Sequence, residues 1–132
     1  MEVIYRTGLP PKEELYELYE HLGWNSFLNL SLEQLLQAMA GSTYSIYAYS
    51  GKSLIATGRI ISDGITNAYL CGLGVHKQHR HKGIATNIIE RLRDYCQENN
   101  LHLQFFCEEP LVPLYEKLGF EKFAVGMKLQ GS

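Results

Sequence analysis

Between Val75 and Ala85 the chain reads Val-His-Lys-Gln-His-Arg-His-Lys-Gly-Ile-Ala. Lys77, Arg80 and Lys82 supply positive charge, Gly83 removes a side chain, and Ala85 keeps the following turn small. An apolar run precedes this stretch and a regular helical pattern follows it, so the basic residues stand at a helix mouth. There the free N–H groups of the first turn point outward, and the helix dipole adds about half a positive charge. Glycine lets the backbone close on a bulky phosphate, because no Cβ intervenes. The chemistry this arrangement favours is the holding of a small phosphate-bearing ligand. A basic turn by itself is as easily a solvated loop. The spacing Arg80-x-x-Gly83-x-Ala85 tips the balance, because both small residues fall where a backbone must approach a ligand.

The rest of the composition narrows the ligand. The formal net charge of the 132 residues is −2, against the basic balance of a nucleic-acid-binding chain, so the positive charge near Arg80 is local and suits a small anion rather than a polymer. The length suits one domain over residues 1–132. Cys71, Cys96 and Cys107 are odd in number and have no C-x-x-C spacing, which predicts reduced thiols in a cytoplasmic protein. No apolar leader opens the chain and no run approaches membrane-spanning length, so no membrane partner is expected. His76, His79 and His81 lie at a strand end and in a turn, with no carboxylate or cysteine at metal-ligand spacing, so no metal is expected.

The elements that must position this loop follow from periodicity. Val3 to Tyr5 reads as a strand. Leu15, Leu18, Tyr19 and Leu22 form one helical face, and Trp24 to Phe27 reads as a loop. Ser31 and Gln34 have capping-box spacing ahead of a second helix through Leu32, Leu35, Leu36 and Met39. From Thr43 the period shortens to two. Tyr44, Ile46 and Ala48 face one side and Tyr47 and Tyr49 the other, Ser50-Gly51-Lys52 turns the chain, and strands run over Leu54–Ile61 and Thr66–Val75. Gly72 and Gly74 inside the last of these mark a bulge or a close approach. Ile84, Ala85, Ile88, Ile89, Leu92, Tyr95 and Cys96 give the clearest helix. Leu101–Cys107 then reads as a parallel strand, Pro110 opens a short helix, and Phe120 to Leu129 offers one or two closing strands. The order β-α-α-β-β-β-α-β-α-β is that of a mixed α/β sheet.

At this point the chain resembles the GNAT acetyltransferase superfamily. Arg80-His81-Lys82-Gly83-Ile84-Ala85 matches the family's acyl-CoA loop, Q/R-x-x-G-x-G/A. Leu114-Tyr115-Glu116-Lys117-Leu118-Gly119-Phe120 is close to its L-Y-E-K-x-G-F, and one helix and one strand separate the two motifs, as in the family. The resemblance implies a mostly antiparallel sheet with helices on both faces and a bulge and splay at the acyl-CoA site. It implies acetyl-CoA as co-substrate and an amine as acceptor, with a homodimer as a candidate assembly. Leu73, Gly74 and Val75 would pair with the pantetheine arm, and the Val75 amide would face the thioester oxygen. The amides of Arg80, His81, Lys82, Gly83, Ile84, Ala85 and Thr86 would hold the pyrophosphate. Tyr115 would protonate the departing thiolate, which suits a phenol of pKa about 10.

The base and the acceptor pocket are less defined. Asp63, His76, Glu108 and Glu109 are the candidate bases, with Glu108, just past the last core strand, preferred. Many family members carry a polar or acidic residue where this chain has Cys71-Gly72, and an asparagine near the position of Glu108. Trp24, Phe27 and Asp63 are the candidate acceptor-binding residues, the aromatics because they sit in a loop and a ring face suits an amine. Two other classes of function compete with the enzyme. One is an acyl-CoA sensor of the same fold without turnover, the other a nucleic-acid binder through the basic turn.

Overall fold

The computed structural model describes residues 2–131. Its elements are β1 (Val3–Arg6), α1 (Lys12–His21), α2 (Asn25–Leu28), α3 (Leu32–Ala40), β2 (Tyr44–Ser50), β3 (Ser53–Ser62), β4 (Asn67–Val75), α4 (Ile84–Glu98), β5 (His102–Gln104) and α5 (Val112–Lys117). Single 3₁₀ turns at Lys77–His79 and Glu109–Leu111 precede α4 and α5. The strands form one sheet in the order β1-β2-β3-β4-β5. The first three pairings are antiparallel, and β4 with β5 is parallel, as a strand–helix–strand crossover requires.

Alternation along β2 divides the core into two layers. Ile46 and Ala48 join Ile60, Leu70, Ile88 and Leu92 under α4, while Tyr47 packs with Leu15, Tyr19, Leu35 and Met39 under α1 and α3. Fully buried side chains such as Ile88 and Leu92 contribute about 1.5–3 kcal/mol each relative to exposure. Helix α4 lies hard against the sheet, because a Cβ on Gly58 would come within 2.6 Å of Ile88 Cγ2. The capping box legible in the sequence is formed. Ser31 Oγ accepts from the Gln34 N–H at 3.1 Å, and Gln34 Oε1 accepts from the Ser31 N–H at 3.0 Å.

Three expectations change. The Trp24–Phe27 stretch is not an open loop but runs into the one-turn helix α2, ended by Asn29 in the left-handed region. The strand expected over Leu101–Cys107 pairs only at His102–Gln104. No closing strand forms: among the described residues, none from Glu121 to Gly131 joins a ladder. Phe120 anchors this segment against Phe105 at 4.9 Å. Beyond it Phe123, Val125, Met127 and Leu129 keep a strand's alternation but stay exposed, Met127 at 87%. A period of two states what a segment would do in a sheet; it does not supply the neighbour whose N–H and C=O groups make it a strand.

Candidate active site

Two irregularities in β4 open the sheet. Thr57 pairs with Gly74 but Arg59 pairs with Cys71, so β4 carries one residue more than β3 across this interval. Gly72 absorbs it at φ +62°, a left-handed conformation that a side chain resists. On the other edge, β4 pairs with β5 only through Asn67, Ala68 and Tyr69, and beyond that point the two strands part. The His76 N–H donates to Ile55 O on the β3 side at 2.7 Å. Successive N–H groups along a strand point to opposite edges, so the Val75 N–H faces the parting. Leu73, Gly74 and Val75, expected along an acyl arm, therefore line an open strand edge.

The basic turn leads directly from this edge into α4. Arg80 Nε donates to Val75 O at 2.9 Å, tying the loop to the strand end. His81 and Gly83 both take positive φ, +65° and +79°, and fold the loop back so that Gly83 becomes the N-cap of α4. No side chain caps that helix, so the first-turn amides of Ile84, Ala85 and Thr86 have no intrahelical acceptor. Nothing lies within 4 Å of where a Gly83 Cβ would stand. An uncapped helix mouth facing open space fits a pyrophosphate.

Tyr115 projects from α5 into a groove of about 780 Å³ shared with Tyr69, Phe106, Cys107, Val112 and the chain from Phe120 to Lys128. Its ring packs on Phe105 at 4.6 Å. Burial first, and then the neighbouring Cys107, push its phenol above the usual range, so it stays protonated at neutral pH.

The candidate bases have different fates. Asp63 Oδ1 accepts from the Ile65 and Thr66 N–H groups, both at 2.8 Å, and Oδ2 from Thr66 Oγ1 at 2.7 Å. These bonds hold its carboxyl down to about 2 and engage it in its own turn. His76 uses Nδ1 to accept from the Gln78 N–H and leans on the His21 ring at 4.4 Å. Burial and the positive charges of its neighbours lower its pKa, but it looks toward α1, away from Tyr115. Glu109 reaches the groove and is held by Lys122 at 3.3 Å. Glu108 begins the 3₁₀ turn after β5, exposed, and among the described residues makes no ion pair.

Of the acceptor-side aromatics, Trp24 is partly buried and stands edge-on to Tyr19, with ring centroids 4.9 Å apart. Its ring tip fills the space that a Gly74 side chain would occupy. Phe27 points outward and is 72% exposed. Sequence reasoning passed over Arg59, whose side chain lies on the same sheet face as Cys71 and beneath Tyr19. The available signal was a cation in the middle of the apolar run Leu54–Ile61, where an arginine is seldom buried without a partner. Among the described residues, no three His, Cys, Asp or Glu converge as a metal site.

A mixed sheet parted beside an uncapped helix mouth is a geometry in which α/β folds can hold a phosphate-bearing ligand at a strand–loop–helix junction. The model of the Acetyltransferase (GNAT) family matches residues 9–120, and the chain belongs to that family. A probable acetyltransferase from meticillin-resistant Staphylococcus aureus has the same fold, with a TM-score of 0.82 at 21% identity over 98% of this chain and 99% of that one. A predicted acetyltransferase from Clostridium acetobutylicum, crystallised with acetyl-CoA, superposes with a TM-score of 0.71 at 19% identity, over 98% and 96% of the two chains. The human cysteine-rich protein 2-binding protein is 34% identical over 79 residues, 59% of this chain. The chain spans about a tenth of the length of the curated relatives it matches. No described helix is long and apolar enough to cross a membrane.

Proposed function

We propose that this protein transfers an acetyl group from acetyl-CoA to a primary amine by direct attack. The observation that carries the reading is the uncapped mouth of α4 at Gly83, set beside the open edge of β4. Acetyl-CoA supplies an already activated thioester, so no covalent enzyme intermediate is needed, and the chain's work is positioning and proton transfer. The amides from Arg80 to Thr86 hold the pyrophosphate, and the edge of Leu73, Gly74 and Val75 holds the arm. The Val75 N–H donates to the oxygen on which negative charge grows. Tyr115 gives its proton to the leaving sulfur, and Glu108 takes the proton of the attacking amine through water.

The test is thiol release from acetyl-CoA against a pooled amine panel, comparing wild type with Tyr115→Phe. Amine-dependent release that falls at least tenfold in kcat with unchanged acetyl-CoA affinity supports the reading. Undiminished turnover removes Tyr115 from the mechanism. Acetyl-CoA binding without release from any pool replaces the enzyme with an acyl-CoA-binding module.

A further inference from the structure

Arg59 sits on β3 opposite Cys71, on the sheet face that looks toward α1 and α3. Its Nη1 donates to Ser42 Oγ at 3.1 Å. Its Nε is buried and has no hydrogen-bond partner. A Cβ on Gly72 would stand 3.1 Å from that Nε and 3.6 Å from the Tyr19 hydroxyl, so the guanidinium lies directly against the bulge of β4, beside the parting of β4 from β5.

Among the described residues, no opposite charge neutralises this guanidinium. The titratable groups that feel it are Tyr19, whose phenol oxygen also engages the guanidinium, Tyr47 and Cys71, and none of them meets the buried Nε. All three are uncharged at neutral pH: burial takes Tyr19 up to about 12 and raises both Tyr47 and Cys71. A partly buried guanidinium with an unpaired N–H and no counter-charge is unfavourable. Folds keep such a defect at functional sites, where a ligand completes it. The planar fork of arginine is shaped for the two oxygens of a carboxylate or a phosphate.

We propose that Arg59 receives an anionic group carried by the acceptor, so that the substrate is an amine bearing a carboxylate or a phosphate. This rests on the acetyl-transfer reading above and deepens it. With its anion on Arg59 an acceptor lies along the bulged stretch of β4, its amine directed to the opening where the acyl group is presented. Trp24 and Tyr19 close that side.

Two measurements test this. The first compares acceptors differing only in the anion, β-alanine with β-alaninamide and phosphoethanolamine with ethanolamine, by kcat/KM. Wild type should favour the anionic member of at least one pair tenfold or more, chiefly through KM, and the pair favoured separates carboxylate from phosphate. Arg59→Met should bring that ratio toward one and, by removing an unpaired charge, should not lower Tm. Equal use of both members of each pair by wild type, or an unchanged ratio in Arg59→Met, overturns the proposal.

The second measurement needs no turnover. It follows the ¹⁵N resonance of Arg59 Nε with CoA present while acetate, inorganic phosphate or the neutral control acetamide is added. A saturable shift with either anion, absent with acetamide, is expected. No shift with either anion overturns the anion site even if amines are acetylated. A shift from a protein that acetylates nothing retains the anion site and sinks the acetyl-transfer reading instead.

Discussion

Arg80 donates from Nε to the carbonyl oxygen of Val75 at 2.9 Å, so the first residue of the proposed phosphate loop is fastened to the last residue of the bulged strand. The link joins the two halves of the proposed acyl-CoA site. It also assigns the Arg80 side chain to the loop's own geometry rather than to a ligand. A glutamine's Nε2, at the same distance along the side chain, can donate the same hydrogen bond.

Arg80→Gln should therefore keep acetyl-CoA affinity within about threefold. Arg80→Ala should weaken it about tenfold, the equivalent of one hydrogen bond from a charged donor. Titration calorimetry decides between them. Equal large losses in both variants would mean that the guanidinium charge acts on the ligand directly.

Gly83→Val tests the helix mouth. Position 83 holds φ +79° and faces open space, so the Cβ of a valine there has room but strains the backbone by about 1–3 kcal/mol. Its methyl groups would occupy the volume assigned to the pyrophosphate. The expected outcome is a folded protein with Tm lowered by a few degrees and no measurable acetyl-CoA binding. Binding of wild-type strength would remove the site from this helix.

How far the sequence carried depends on whether a feature is set by neighbours in the chain. The Ser31–Gln34 box, the α4 stripe and the turn glycines are local, and each formed as expected. The β4 bulge was legible because Gly72 and Gly74 interrupt an apolar strand. The closing strands failed because Phe123 to Leu129 has the right alternation and no described neighbour to pair with. Arg59 was passed over for a related reason. Only the folded sheet reveals that the groups around it are a serine hydroxyl, two phenols and a thiol, none of which can balance a positive charge.

Asp63 gives a pH signature separable from catalysis. Its three hydrogen bonds place the folded-state pKa at about 2, below the ordinary value of 3.8. A depressed folded pKa contributes stability that is present above the unfolded value and is lost as pH falls through the folded one. Wild type should therefore melt higher than Asp63→Asn above pH 4, and the difference should close between pH 4 and pH 2. Thermal melts across that range read it directly. A gap that persists at pH 2 would show that the turn does not depend on the carboxylate charge.

Gly74→Ala probes the Trp24 side of a residue whose backbone belongs to the proposed acyl edge. The new methyl would come within 2.7 Å of two atoms of the Trp24 ring and 2.9 Å of Leu22 Cδ1. An indole wedged against Tyr19 has little room to yield, so the corner between α1 and α2 must shift, at a cost of about 1–3 kcal/mol. The backbone of residue 74 keeps its place, so acetyl-CoA affinity should change by less than about threefold while KM for the amine rises. Shortening the ring should relieve the clash: Gly74→Ala with Trp24→Leu should be more stable than the sum of the single changes predicts, and a double-mutant cycle measures that coupling. A cycle that sums to zero would mean that Trp24 does not stand on Gly74 in solution. A matching loss of acetyl-CoA affinity would mean that the strain had passed through β4 to its open edge.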